Sequence, residues 1–455
     1  MFHEMTISIP LHVLMSQGRA VDFPVCFTSD EIVTWQAFSD RVVTLTHGLK
    51  LRSESRWLLT TSDALDFTIQ LLALLHAGKH VLIPPNRQPG TLEQLAGEFD
   101  AIVSNDVASF DNTPGVLPPL DPHVANIELY TSGSTGTPKK VVKTLAQFEA
   151  EVAVLEGLWG CFLGERAVVA TVPHYHIYGL IFRILWPLSS GRIFDTLTCA
   201  DPVMLKERLS IFKKNILVSS PAQLSRLPEL AVLTTLISST EFIFSSGGPL
   251  SIKTATEFHR QLGHDPTEIF GSTETGGVAW RRQCVDDSWE TPPGVIVGRD
   301  DNGELRLNSP FLDNTSSFKM TDAIDLLPDG KFHLLGRTDR IVKVEEKRLS
   351  LPEMESLLAT HPWVGASIAT PLSGRRQSVG VVVELSADGW QQLLHHGRRY
   401  VSQHLRLHLN KHYEVVLLPR HWRFFEKLPF NTQEKLTHMA VALLFESKEH
   451  SYVET

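Results

Sequence analysis

Cysteine is scarce in this chain. Four residues in 455, Cys26, Cys161, Cys199 and Cys284, lie far apart and form no CxxC pair. That spacing argues against a disulfide framework or a zinc site and for reduced thiols in a cytoplasmic protein. Long apolar runs are also missing. The longest, such as "LLALLH" and "IFRILWPL", are too short to span a bilayer. The first residues, MFHEMTISIP, lack a basic segment followed by an apolar one, so no secretion signal is expected. Positive charge is not in excess: the formal net charge is −9, which argues against non-specific nucleic-acid binding. Internal repeats and low-complexity tracts are absent too.

What is present is an ordinary globular composition, 42 % hydrophobic and 20 % charged, in a chain long enough for two or more domains. "RWLLTT" reads as a strand, "DALDFTIQLLALLHAG" as a helix closed by Gly78, and "HVLIPP" as the next strand. Strand, helix, strand predicts a parallel sheet. "RAVVATVP", "NILVSSP" and "EFIFSSGG" are further buried strands that end in turn residues, and ligands in such folds bind at the carboxyl ends of strands. After about Gly336 the character changes. A charged stretch, a helix, the alternating pair "GASIATPL" and "SVGVVVELS", and a basic, His-rich helical segment predict a small α+β domain behind a polar hinge near Asp339.

The stretch "YTSGSTGTPKK", Tyr130 to Lys140, follows the strand-like "ANIELY". Gly133 and Gly136 allow a tight turn with N–H groups facing an anion. Ser132, Ser134, Thr135 and Thr137 add hydroxyl donors, and Lys139 adds a point charge suited to phosphate. The spacing is neither the Walker pattern nor the G-x-S-x-G nucleophile elbow. By itself the stretch reads as a phosphate cradle or as a flexible Ser/Gly surface loop. A second stretch, "EIFGSTETGG", carries Glu274, an oxygen ligand for a hard cation such as Mg²⁺, and Thr273, a phosphate donor.

With "GRTDRIVKVEEKRLSLPEMES" from Gly336 and "LPFNTQEKL" from Leu428, these stretches, in this order and spacing, resemble the adenylate-forming superfamily of acyl- and aryl-CoA synthetases, luciferases and peptide-synthetase adenylation domains. The resemblance runs from "HAGKHVLIPPN" to Leu436. It implies an α/β fold: a large N-terminal domain of mixed and parallel sheets with helices, residues 1–338, and a small mobile α+β domain, residues 339–455. It also implies an AMP-forming acid–thiol ligase that uses ATP and Mg²⁺.

Carried over by resemblance, Thr131 to Thr137 and Lys139 wrap the ATP phosphates. Glu274 binds Mg²⁺ and Thr273 contacts phosphate. Asp322 holds the ribose hydroxyls, Arg337 lies near the ribose and α-phosphate, and Gly247 and Gly248 form a turn lining the acyl and adenine pocket. His176 gates the carboxylate, Asp339 is the hinge, and Lys435 is the catalytic lysine of the small domain. Lys140, Glu346 and Glu434 stand where the family usually has glycine.

Peptide-synthetase domains hold an α-ammonium with an aspartate that "PHYHIYGL" lacks, so an aryl or aliphatic acid is expected rather than an amino acid. "VEEKR" resembles stand-alone ligases that load acyl carrier proteins in bacterial lipid and aryl-polyene pigment pathways. Arg375, Arg376, Arg398, Arg399, Arg406 and Lys411 form basic patches that suit an acidic carrier, or an ordinary solvated face. Free CoA as acceptor, an inactive nucleotide-binding scaffold and a Ser/Lys amidase stay open as alternatives. His404, His408 and His412 recur every four residues, but without H-E-x-x-H or a nearby acidic ligand they are not expected to bind metal.

Overall fold

The computed structural model describes residues 8–103, 115–131, 138–227, 240–248, 250, 252–301, 303–312, 317–337, 341–345, 347–372, 377–428 and 444–445. The chain forms two compact units. One comprises Met1–Pro85, Ala96–Thr131 and Lys140–Thr338; the other is built mainly from Asp339–Thr455, with Asn86–Leu95.

In the first unit the expected strand–helix–strand is present. The strands Arg56–Leu58 and His80–Ile83 run parallel, with Trp57 opposite Val81. The helix Ala64–His76 connects them. Asp63 starts it by accepting the N–H groups of Leu65 and Asp66 at 2.9 and 3.0 Å, covering donors that a helix start leaves unpaired. Every residue of this helix except Asp66 is buried. Gly78 then takes the left-handed conformation, φ 70°, which an L-residue adopts only at a cost. Among the described residues these strands belong to a five-stranded sheet in the order Ala101–Ile102, Arg56–Leu58, His80–Ile83, Asn126–Thr131, Lys139–Thr144.

A second sheet has thirteen strands among the described residues. Its centre is a parallel run: Phe194–Thr198, Ala167–Ala170, Asn215–Ser219, Thr240–Ser245, Thr267–Ser272. Ala167–Ala170 and Asn215–Ser219 are buried throughout, as strands covered on both faces must be. At Thr267–Ser272 the sheet turns antiparallel through a hairpin to Gly276–Arg282. It continues through Asp286–Glu290 and Phe332–Arg337 to Phe318–Leu326. The helix Leu145–Leu163 presents Phe148, Val152 and Leu155 to the core, which also holds Phe182, Trp186 and Phe244.

The second unit is α+β. Val364–Leu372 pairs antiparallel with Ser378–Leu385, which pairs parallel with His421–Phe425. Val379, Val381 and Val383 point to one face and pack with Leu405, Leu409 and Trp422. Burying each such aliphatic side chain contributes about 2 kcal/mol. The helix Ala387–Leu409 is interrupted at Gly397, φ 79°. His404 and His408 on it bond the carbonyls of Tyr400 and Leu357, both at 3.0 Å.

In "VEEKR" the strands Ile341–Val344 and Lys347–Ser350 pair antiparallel, and Glu345 follows the first. Glu345 sits there at φ 55°, a conformation that costs a non-glycine residue of order 1–3 kcal/mol. Glu346, like Glu434, lies outside the described residues. Among the described residues no helix is long and apolar enough to cross a membrane.

Candidate active site

The carboxyl ends of the parallel strands make one edge. Val218 is opposite Ala170, and Ser219 is opposite Ser245. Thr171 continues the join: its N–H donates to the Val218 carbonyl at 3.0 Å, and its hydroxyl lies 2.8 Å from that of Ser219. Ser245 faces Glu268, so Thr267–Ser272 runs four residues past its neighbour, roughly 13 Å at strand rise. The Ser246 hydroxyl donates to the Ile269 carbonyl at 2.8 Å and ties the next turn to that overhang. Three predicted stretches, around His176, Gly247–Gly248 and Thr273–Glu274, therefore leave the same edge.

The His176 stretch is held from below. Arg183, fully buried, donates to the carbonyls of Val172, Asp195 and Thr196 and to the Thr198 hydroxyl at 2.7–3.3 Å. Burial lowers its pKa to about 10, so it stays charged at neutral pH. It sits in a π-helical segment, Leu180–Leu185, a feature frequent at functional sites. His174 bonds the Thr61 carbonyl at 2.9 Å and packs on Phe67. Gly179 passes so close to Pro173 that a Cβ would meet its carbonyl oxygen at 2.0 Å. His176 is extended, φ −96° and ψ 145°, half-buried, with its ring 4.8 Å from Tyr175. Tyr178 lies against the Ser219 backbone, and burial pushes its pKa up.

Gly247 adopts φ 95°, so this turn needs a residue free of the Cβ penalty. Glu274 and Thr273 occupy the hairpin turn, half-buried. Ser272 and Thr275 close that turn: each backbone N–H donates to the other's hydroxyl, at 3.0 and 3.2 Å. Below it lies Glu151, a buried carboxyl on the helix Leu145–Leu163. It accepts the Gly277 N–H at 2.8 Å and fills the space over Gly276, where a Cβ would come within 2.3 Å of Oε2. Burial pushes the Glu151 pKa up to about 7, against the opposing pull of Lys143 and the Gly277 N–H.

Asp322, buried, is directly opposite Arg337 across two antiparallel strands, which brings the two residues expected at the ribose together. Thr131 ends the strand Asn126–Thr131, and Lys139 opens the next, exposed. Between them, Ser132, Gly133, Ser134, Thr135, Gly136 and Thr137 lie outside the described residues, as do Asp339 and Lys435. Lys140 points at a buried carboxylate on the neighbouring strand, with Nζ 3.5 Å from Glu128 Oε2. Arg56 is 3.9 Å from the same oxygen and bonds Glu98 at 2.8 Å. The lysine that replaces the usual glycine thus has a local partner.

Sequence reasoning missed Arg183, Glu151 and an aromatic cluster that reaches Tyr178 through Phe182, in which Trp159 packs on Trp280, Phe244 and Trp186, and Phe182 on Phe244. One signal was available: Glu151 falls on the apolar stripe of its helix, beside Phe148, Val152 and Leu155. A carboxylate on such a stripe is costly without partners.

The chain belongs to the AMP-binding enzyme family, whose profile matches residues 53–301, and it is an AMP-forming acid–thiol ligase. It is 25 % identical over 360 residues to a 4-coumarate–CoA ligase of Rhodobacter capsulatus, covering 78 % of this chain and 82 % of that protein. A second 4-coumarate–CoA ligase, from Cereibacter sphaeroides, is 28 % identical over 327 residues, covering 69 % and 70 %. The fold matches that of the amide bond synthetase McbA from Marinactinospora thermotolerans, with a TM-score of 0.81 at 18 % identity over 95 % of this chain and 98 % of that one. The two-domain adenylate-forming fold expected from the motifs is therefore present.

Proposed function

We propose that this enzyme condenses an aryl or aliphatic carboxylic acid with ATP to an acyl-adenylate and passes the acyl group to a phosphopantetheine thiol. The observation that carries this is the shared strand edge: in a member of the AMP-binding family, the His176, Gly247–Gly248 and Glu274 segments all leave it together.

In the first step a carboxylate oxygen attacks the α-phosphorus, and the bond to pyrophosphate breaks. Negative charge gathers on the phosphoryl oxygens, so positioning and electrostatics supply most of the catalysis. Thr131, Lys139 and the hydroxyls between them hold the phosphates, Thr273 adds a donor, and Asp322 accepts from the ribose hydroxyls beside Arg337. Glu274 offers a half-buried carboxylate among hydroxyls, a donor set that fits a hard cation, and would hold Mg²⁺, which when bound offsets phosphate charge. Lys435 brings a further positive charge. In the second step the thiol sulfur attacks the acyl carbonyl, AMP leaves, and the thiol proton passes to solvent. His176 is assigned beside the acid, where its own ring and that of Tyr175 packed on it suit an apolar or aryl body. The thiols stay reduced in the cytoplasm, and all four cysteines are free.

An acyl carrier protein is the acceptor we favour. Arg398, Arg399 and Lys411 are exposed on the second unit and suit an acidic partner. Arg398 also donates to the Trp422 carbonyl at 3.1 Å, and Arg406 is committed to the Pro419 carbonyl, so Arg399 and Lys411 are the freer pair. Arg375 and Arg376 lie outside the described residues. Free CoA is the second reading, supported by the CoA ligases among the relatives. The test is acid-dependent pyrophosphate release across a panel of acids, followed by acyl transfer to CoA or to a holo carrier protein. Arg399→Glu with Lys411→Glu should cut carrier loading and leave pyrophosphate release intact. Loading of CoA with no transfer to any carrier from the same genome overturns the carrier reading. No acid-dependent pyrophosphate release overturns the whole assignment.

A further inference from the structure

The hairpin that carries Glu274 has a second cluster of functional groups at its open end, far along the strands from the turn. Its register, Glu268 opposite Arg281, brings Asp265 opposite Cys284 when continued three residues outward. The Asp265 carboxylate, 3 % exposed, accepts the Cys284 N–H at 2.8 Å through Oδ2. Its other oxygen, Oδ1, is buried and, among the described residues, makes no hydrogen bond that meets the geometric limits. It points toward His259 Nδ1, 3.6 Å away, on the last turn of the helix Ile252–Leu262. The chain reaches Asp265 from that helix through Gly263, φ 80°. One ligand atom each from His259, Asp265 and Cys284 lies within 4.8 Å of the others. His264 is not in that group; it bonds the backbones of Thr240 and Asp265.

A buried carboxylate is expensive when its neighbours are a half-exposed imidazole at 3.6 Å and a weakly donating thiol, and a cation held between the three groups would offset that cost. The donors are an imidazole nitrogen, a carboxylate oxygen and a sulfur, supplied by three separate elements. That set suits a borderline-soft metal rather than Mg²⁺ or Ca²⁺, which take oxygen. Metal–ligand bonds of about 2.0–2.3 Å set tetrahedral ligand atoms roughly 3.3–3.8 Å apart; His259 Nδ1 and Asp265 Oδ1, 3.6 Å apart, already meet this, a pair as wide as 4.8 Å must close by about 1 Å, and His259 is exposed enough to move.

We propose that His259, Asp265 and Cys284 bind a divalent transition metal such as Zn²⁺, with water completing a tetrahedral set. On binding, the sulfur becomes the anionic ligand and its proton leaves to solvent. The metal would clasp the open end of the hairpin to the preceding helix. Its role is to hold the strands whose far end presents Glu274, and it takes no part in adenylation. The wide spacing of the cysteines hides such a site from motif reading, since only strand register brings Asp265 to Cys284.

The test uses the full-length protein titrated with Co²⁺, a spectroscopic stand-in for Zn²⁺. One Co²⁺ per chain should bind with a thiolate-to-cobalt charge-transfer band and release of one proton. Excess Zn²⁺ should displace it. Cys284→Ser should abolish the band, while Cys161→Ser, at an exposed thiol, should keep it. His259→Ala should weaken binding about tenfold or more. Zn²⁺ should also raise the unfolding temperature of the parent and not of the Cys284→Ser variant. Absence of the band at stoichiometric Co²⁺, its persistence in Cys284→Ser, or undiminished affinity in His259→Ala overturns the proposal.

Discussion

Replacing Glu151 with glutamine tests whether a buried carboxyl supports the turn that presents Glu274. The folded chain raises the Glu151 pKa from 4.5 to about 7, chiefly by burial. Between those values the folded carboxyl keeps a proton that the unfolded chain has lost. Folding therefore takes up a proton in that window, and stability falls as pH rises from about 4.5 to about 7, then levels off. A shift of roughly 2.5 pH units corresponds to about 3 kcal/mol across the window. Glutamine stays neutral, and its oxygen can still accept the Gly277 N–H. Glu151→Gln should be within about 1 kcal/mol of the parent near pH 5 and exceed it by up to about 3 kcal/mol at pH 8, a rise of about 3 °C in melting temperature for a chain this long. Calorimetry at pH 5 and pH 8 reads the difference directly. Parallel pH profiles for the two proteins would refute the reasoning. So would a variant less stable at pH 8, since that would mean an ionised Glu151 paired with Lys143 is the native state.

Arg183→Met should destabilise the protein by about 3–5 kcal/mol, because three carbonyls and a hydroxyl lose a buried donor; chemical denaturation checks this. Asp322→Ala should raise the KM for ATP about tenfold or more by removing charged hydrogen bonds to the ribose, and an unchanged ATP titration would remove it from the site. Glu274→Gln should raise the Mg²⁺ requirement about tenfold or more, read from turnover against free Mg²⁺. Lys435→Ala should slow adenylation by about a hundredfold or more while sparing thioester formation from supplied acyl-adenylate; equal loss in both half-reactions would contradict its assigned role.

Much of the architecture was legible in the sequence because it depends on local patterns. Asp63 before an apolar helical run, Gly78 after it and short apolar strands on either side dictate a strand–helix–strand unit wherever the segment folds. The order of "YTSGSTGTPKK", "EIFGSTETGG", "GRTDR" and "LPFNTQEKL" pointed to the family, and the family match over residues 53–301 shows it. The three-dimensional fold decided what depends on register and on the filling of space. Reading "EIFGSTETGG" as a strand end was incomplete, since an antiparallel partner turns it into a hairpin that overhangs the sheet. Asp322 meets Arg337 only because two strands pair in one register. Glu151 lies in sequence far from the turn it supports, and Lys140 finds its carboxylate on the neighbouring strand. A helical or strand period tells which face of an element is buried; which side chain it meets there is set by the packing of distant segments, and that contact exists only once the chain has folded.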